Sequence, residues 1–328
     1  MAVSVSAGSR SNHSLGGGSG AQVDLVNPNI IWKVADDPTE SPSGSHIVYA
    51  YNVNTDNRLA DYALSNGHND CEGVLMVQDG TGTYYIAVWK NGSDDVDFYP
   101  RPSISSSQSL VTGTLTFTRR WSPSNGITGA NGESFWYDKW EDRIKFIRER
   151  ADSSAFPNNT AARNVWQSGT GWSSANISSG SGIPATTLSS VGSLITRPNT
   201  SGGFLDVPNA NGDAAQIHED VLMVAGVAGN PGGGIPYNNY VMYWVKESSE
   251  SWSSRLSSGP HYPDGVIGTI TSSGGSEHCA WDDVNQIAYS GPESKTATTN
   301  SWPVIITPGG GGGGGGSAAV EVLVSMLD

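Results

Sequence analysis

Val74-Leu75-Met76-Val77 is an apolar run of strand length, and the same four residue types return in the same order at Val221-Leu222-Met223-Val224. Other markers follow in matching order. Trp89-Lys90 is answered by Trp244-Val245-Lys246, Gly113-Thr114-Leu115-Thr116 by Gly268-Thr269-Ile270-Thr271, and Trp140-Glu141-Asp142 by Trp281-Asp282-Asp283. Thr160-Ala161, Asn164 and Trp166 recur at the same internal spacing as Thr296-Ala297, Asn300 and Trp302. The offsets are 147 residues for the first pair, 155 for the next two, then 141 and 136. They drift only across loops rich in Gly, Ser or Pro, which is how a duplicated module diverges. The pattern predicts two tandem copies of one β-rich unit.

Length and composition agree with that division. The 328 residues exceed a usual single domain, and halves of about 150 residues fall near the common size. Only 15% of residues are charged and 42 are Gly, which favours short strands joined by many turns over long helices. The 36% hydrophobic share is low, but 11 Trp and 12 Tyr supply large apolar surface per residue. A net charge of −14 repels phosphate backbones, and the basic residues of 143–150 are interleaved with acid, so no direct nucleic-acid binding is expected. No apolar run reaches the roughly 18 residues of a membrane span, and the first residues lack the pattern of an export signal.

Along the chain, residues 1–22 have the Ser/Gly composition of a flexible arm, with Leu15-Gly16-Gly17-Gly18-Ser19-Gly20 as its extreme. Val23 to Val34 reads as a strand interrupted at Asn27-Pro28-Asn29, His46 to Val53 as a strand, and Val74 to Trp89 as a hairpin turning at Asp79-Gly80. Leu110 to Arg119, Val304 to Thr307 and the alternating residues 320–325 are further strands. Helices are expected at Thr55 to Asn66, at Glu133 to Ala151 on the spacing of Trp136, Trp140, Ile144 and Ile147, and at Trp281 to Tyr289. The first copy then spans 23–185 and the second 186–328.

Chemical motifs are sparse. Phosphate-binding loops, His-Glu-x-x-His and Gly-x-Ser-x-Gly are absent from the sequence. His68, Cys71, His278 and Cys279 are ligand types for zinc, but adjacent His278 and Cys279 would point apart on a strand. Buried thiols are the simpler reading of Cys71 and Cys279, a disulfide being the other alternative, so no metal or other cofactor is expected. Asn209-Ala210-Asn211-Gly212 lacks the first and last ligands of a calcium loop and reads as a turn. Glu141-Asp142 and Asp282-Asp283 suit helix starts better than the two carboxylates of a glycan-cleaving enzyme. The repeated tryptophans read as core anchors. Trp121, Trp136, Trp172 and Trp252, which have no counterparts, are the candidate exposed binding residues.

The fold expected is mostly β: two antiparallel β-sandwiches of jelly-roll type, each with an inserted helix, plus the N-terminal arm. With the Ser4–Gly20 arm, the missing export signal, the scarcity of catalytic motifs and the glycine run Gly309–Gly316, the chain resembles structural proteins of bacteriophage particles. The glycine run resembles segments of tail fibres, and the paired sandwiches resemble double jelly-roll capsid proteins. That resemblance implies a non-enzymatic virion component made in the host cytoplasm. It would self-assemble through its arm and loops, with copies of itself and other virion proteins as partners and no membrane. The alternative is a carbohydrate- or receptor-binding sandwich that stacks a host surface glycan on exposed Trp.

Overall fold

A computed structural model describes residues 3–35, 47–67, 71–90, 95–123, 132–148, 162–179, 182–195, 213–228, 238–257, 261–270, 278–292 and 298–309. Two short strands come first, β1 (Ser4–Ala7) and β2 (Ser11–His13). They are followed by β3 (Gly20–Val23), β4 (Ile30–Val34), β5 (Val48–Asn52) and β6 (Arg58–Leu64), which form one antiparallel sheet in chain order. A second sheet holds β7 (Cys71–Gln78), β8 (Tyr84–Lys90) and β9 (Asp95–Pro100); the chain then leaves it to lay β10 (Val111–Leu115) parallel to β6, and returns as β11 (Arg119–Trp121) beside β9. The third sheet is β12 (Gly132–Asp138), β13 (Arg143–Arg148), β14 (Ala162–Gln167) and β15 (Ser189–Ile195). The fourth is β16 (Ala214–His218), β17 (Val221–Ala228), β18 (Asn238–Val245) and β19 (Gly265–Ile270), with a short helix α1 (Trp252–Leu256) before its last strand. The fifth is β20 (His278–Asp282), β21 (Ile287–Gly291) and β22 (Thr299–Thr307), completed on its outer edge by β1 and β2 in series along β22.

The first strands of the five sheets meet in a closed cycle: β3 touches β7, β7 touches β12, β12 touches β16, β16 touches β20, and β20 returns to β3. Five four-stranded antiparallel units around one axis, with the N-terminal strands finishing the last unit, make a five-bladed β-propeller. The two tandem sandwiches are therefore replaced by one ring. A boundary at 185/186 would cut the third blade, because β15 pairs with β14. The virion reading rested on twin halves and a free arm, and it falls with them. So do its capsid and tail-fibre analogies, its virion partners and its location. The Gly309–Gly316 run beyond its first residue, strand 320–325, Asn209 to Gly212 and His68 lie outside the described residues.

The apolar runs are explained by the ring. In a propeller each blade packs both faces, so a strand is apolar at successive residues instead of alternate ones. Val74 and Met76 of β7 pack toward the first blade with Trp32, Ala50 and Leu59, while Leu75 and Val77 pack toward the third with Phe135, Ile144 and Phe146. On β17, Val221 and Met223 join Trp281 and Trp302 of the fifth blade, and Leu222 and Val224 join Trp136 and Ile147 of the third. Burying such a side chain fully is worth roughly 1.5–3 kcal/mol against the entropy of ordering it.

The three helices are strands instead. Residues 133–148 form the β12–β13 hairpin, with Phe135 and Trp136 facing opposite blades. Lys145 hid this pattern: it is 1% exposed inside the apolar run, its charge met by Asp138 at 2.6 Å and Glu141 at 3.0 Å. Trp281 to Tyr289 is the β20–β21 hairpin, and Thr55 to Asn66 is a turn followed by β6. The strand expected at His46 to Val53 and the hairpin expected at Val74 to Trp89 coincide with β5 and β7–β8, and the interruption at Asn27-Pro28-Asn29 falls in the turn between β3 and β4.

The supposed arm closes the ring. Leu15 to Gly20 is buried between the fifth and first blades, and its glycines serve close approach, not flexibility. A Cβ on Gly18 would lie 2.9 Å from both the Tyr49 hydroxyl and the Val34 carbonyl oxygen; one on Gly20 would lie 2.6 Å from the Gly73 Cα. The carbonyl groups of this segment receive buried donors. Lys33 Nζ donates to Gly16 O, to Thr299 Oγ1 at 2.7 Å and to His278 Nε2 at 3.2 Å, while His278 Nδ1–H donates to Gly18 O at 3.2 Å. Tyr49 donates to Gly17 O. Burial drives the pKa of Lys33 well down, and burial followed by the neighbouring Lys33 does the same to His278.

One turn recurs. At the end of the inner strand, Asp24 Oδ1 accepts from the backbone N–H of Val26 and Asn27 at 2.8 and 2.9 Å. Asp79 Oδ1 serves Thr81 and Thr83, Asp138 Oδ1 serves Trp140 and Glu141, and Asp282 Oδ1 serves Val284 and Asn285. In the fourth blade Asp220 binds Lys246 Nζ at 2.6 Å. All five are buried, and in the first four a carboxylate replacing the missing strand partner of a tight turn is the reason, whereas Asp220 is held by its ion pair. These turns lie at one end of the ring. In the first four blades the connections between third and fourth strands lie at the same end, and each reaches the preceding blade. Asp56 binds the Ser14 N–H at 2.8 Å, β10 joins β6, Trp172 and Ile177 pack with Leu75 and Val77, and α1 packs on Val191 and Leu194.

His278 is neutral in the fold, whereas in the unfolded chain it titrates near pH 6.5. The unfolded state therefore binds more protons below that value, so stability is held above it and lost as pH falls. Thermal melting followed by circular dichroism is expected to drop from pH 7 to pH 5, with a smaller drop in His278→Gln. Deleting residues 1–13 strips the outer strands from β22. We expect the melting temperature to fall by roughly 10 °C or more and oligomers to appear on size-exclusion chromatography. Asp24→Ala orphans the buried Trp32 Nε1 and removes the carboxylate partner of the half-buried Arg101, bound at 2.7 Å each, and is expected to cost about 3 kcal/mol in urea unfolding.

Candidate functional site

At the end of the ring carrying the Asp-capped turns, the inner strands leave a cavity of about 380 Å³ to which all five blades contribute. Gln22 and Leu25 come from the first blade, Gln78 and Tyr84 from the second, Tyr137, Lys139 and Trp140 from the third, Gln216 from the fourth, and Trp281 and Asp283 from the fifth. The wall amides are fixed locally: Gln22 Nε2–H donates to Val23 O, Gln78 to Gly82 O and Gln216 to Glu219 O. They give shape more than free donors.

The turn tips surround this opening, and several are apolar. Leu25 is 47% exposed, Val26 52%, Trp140 38% and Val284 73%. The Asp caps explain why. The residue one or two positions after the capping Asp stands at the apex of its turn, without a neighbouring strand to cover it. Lys139 Nζ lies 2.7 Å from Asp283 Oδ2, joining turns of the third and fifth blades, and 4.6 Å from the Trp140 ring centroid. Trp281 Nε1–H donates to Asp283 Oδ1 at 3.3 Å, and the His218 ring lies 6.4 Å from that of Trp140. Glu141, Glu219 and Asp283 are exposed on the same turns.

The four tryptophans expected at the surface are in the cores between blades: Trp121 is 0% exposed, Trp136 4%, Trp172 1% and Trp252 2%. Trp121 packs edge-on to Trp172 at 6.2 Å. Of these, Trp136 alone borders the cavity. The glycan-binding alternative rested on their exposure and falls with it. Among the repeated tryptophans, Trp89, Trp244, Trp281 and Trp302 are buried as core anchors and Trp166 is half-buried against a core, but Trp140 is exposed. Its place two residues after Asp138 was the available signal, shared with Val26 after Asp24 and Val284 after Asp282.

The paired carboxylates do not face one another as an acid and a base. Asp142 is turned to Tyr137, Ser173 and Ser174, Glu141 to Lys145, and Asp283 to Lys139. Cys71 and Cys279 are not joined in a disulfide and are buried in different cores, and burial pushes the Cys279 thiol well up. Among the described residues no cluster of His, Cys, Asp and Glu is arranged to hold a metal.

No protein-family model matches the chain, and no curated protein matches it. Solved structures do. The WD40 repeats of RRP9 align over 92% of this chain and 100% of theirs at 9% identity and a TM-score of 0.42. U3-55K aligns over 92% and 98% at 9% identity and a TM-score of 0.38. Raptor from Chaetomium thermophilum aligns over 89% of this chain but 28% of its own length, at 7% identity and a TM-score of 0.39. At these scores the likeness adds nothing about activity or partners, and the propeller assignment rests on the sheet order and the closed cycle of inner strands.

Proposed function

We propose that this chain is a non-enzymatic interaction platform, and that the end of the propeller bearing the Asp-capped turns receives a segment of another protein. The observation that carries this is the coincidence of a concavity built by all five blades with exposed apolar tips around it. Leu25 and Trp140 line the cavity, and the exposed Val26 and Val284 each follow a lining residue, Leu25 and Asp283, on its turn, so three separate blades bring apolar tips to one opening. Scattered apolar residues on a surface need no explanation, whereas a group around a cavity is the usual form of a contact site. The acids of the same turns and the net charge of −14 suit a partner segment that is apolar and basic. Aspartates committed to turn capping and ion pairs support a binding role over a catalytic one.

The test is a random peptide library displayed and selected on the full-length protein, with each recovered peptide measured by calorimetry against the double variant Trp140→Ala, Val284→Glu. Both positions are exposed, so the variant should fold, which circular dichroism will check. We expect apolar and basic peptides whose affinity falls tenfold or more in the variant, the loss typical of a central contact residue being above about 1 kcal/mol. Recovery only of peptides that bind both proteins equally, or of none, overturns the proposal.

A further inference from the structure

We propose that Asp283 and Trp140 form a seat for one lysine or arginine side chain of the docking partner, and that Lys139 is the seat's resident occupant in the free protein. This deepens the docking reading and rests on it. Asp283 and the Lys139-Trp140 pair belong to blades that are not neighbours in the ring, so their meeting spans the opening. The ammonium of Lys139 takes both features that recognise a cation, a carboxylate oxygen at 2.7 Å and an indole face at 4.6 Å. Trp281 Nε1–H holds the second oxygen of Asp283 at 3.3 Å, which orients the carboxylate toward the opening.

The occupant is built to leave. Lys139 and Asp283 side chains are 50% and 54% exposed, and an ion pair so open to water contributes little to the fold. Other buried or half-buried cations at this end have commitments elsewhere: Lys145 to Asp138 and Glu141, Lys246 to Asp220, and Arg101 to Asp24. When Lys139 swings out, Asp283 faces the opening without a cation, and an incoming guanidinium or ammonium restores the charge balance. Arginine would gain more than lysine because its planar group stacks on indole as well as pairing with a carboxylate.

The test uses the whole protein labelled with ¹⁵N, the Trp140 indole signal being assigned through Trp140→Phe. The probes are Nα-acetyl-arginine methylamide, the lysine equivalent, and the uncharged norleucine equivalent. The charged probes are expected to move the Trp140 signal and the norleucine probe to leave it in place. Lys139→Ala should bind the charged probes about threefold to fivefold more tightly, the resident competitor being gone, and Asp283→Asn should bind them about fivefold more weakly. Equal or weaker binding by Lys139→Ala, or an equal shift with norleucine, overturns the seat. If selected peptides depend on Val284 but not on Asp283 or Lys139, the seat fails and the docking reading stands. If the probes bind as expected but no peptide depends on Val284, the docking reading fails instead.

Discussion

Everything in this molecule depends on each blade having two buried faces. A single four-stranded sheet of this composition has no solvent-tolerant side, so it is stable only between two others, and five such sheets satisfy one another only when the ring is closed. The closure falls where the fifth blade meets the first. Its apolar cluster is built largely from small residues and tyrosines, among them Ala21, Ala35, Ala280, Tyr49 and Tyr289. The deficit is met by a polar lock in which Lys33, His278 and Thr299 bind the carbonyl groups of a buried glycine segment. The glycines are there because the backbone itself fills the space between blades.

The staples at one end follow from the same constraint. Sheets held only by apolar packing can slide radially, and the connections between third and fourth strands of the first four blades resist this by gripping the blade before. The second blade goes furthest and gives β10 to its neighbour as a parallel fifth strand. The fourth uses α1 together with a parallel bridge between Leu194 and His261. With the rim so braced, the central turns are free to carry residues chosen for something other than stability, which is where the exposed apolar tips and the Lys139–Asp283 contact lie.

The β class and several individual strands were legible in the sequence, but the number of units was not. The marker at the offset of 136 does join equivalent places, since Asn164 and Asn300 stand on the third strands of the third and fifth blades, whereas the one at 141 is three residues out of register: Trp140 follows the capping Asp138, and Trp281 precedes the capping Asp282. Each of those asparagines even binds the residue opposite it, Ser193 or Asn12. Two blades apart, they read as two halves. The markers at 147 and 155 mislead, since Val74 to Val77 lie on an inner strand and Val221 to Val224 on a second strand. Any strand buried on both faces takes the same apolar residues, so composition does not tell its position in the blade. The site was hidden for a related reason. Exposure at Trp140 is set by its place after a capping Asp, and repetition of a residue carries no information about whether a turn lifts it into solvent.

The order in which the ring is stitched has a bearing on its birth. Ser4 to Ala7 pair with Val304 to Thr307, so a segment made before any of the blades finds its partner only after all five have been made. Throughout synthesis of the blades between, that segment and the inner edge of the first sheet wait for β20 to β22 to emerge. A nascent chain of this kind has a long interval in which both edges of the open ring are available to strangers, and its yield in a crowded cell depends on how quickly translation passes through the fourth and fifth blades or on what shelters the waiting edge meanwhile.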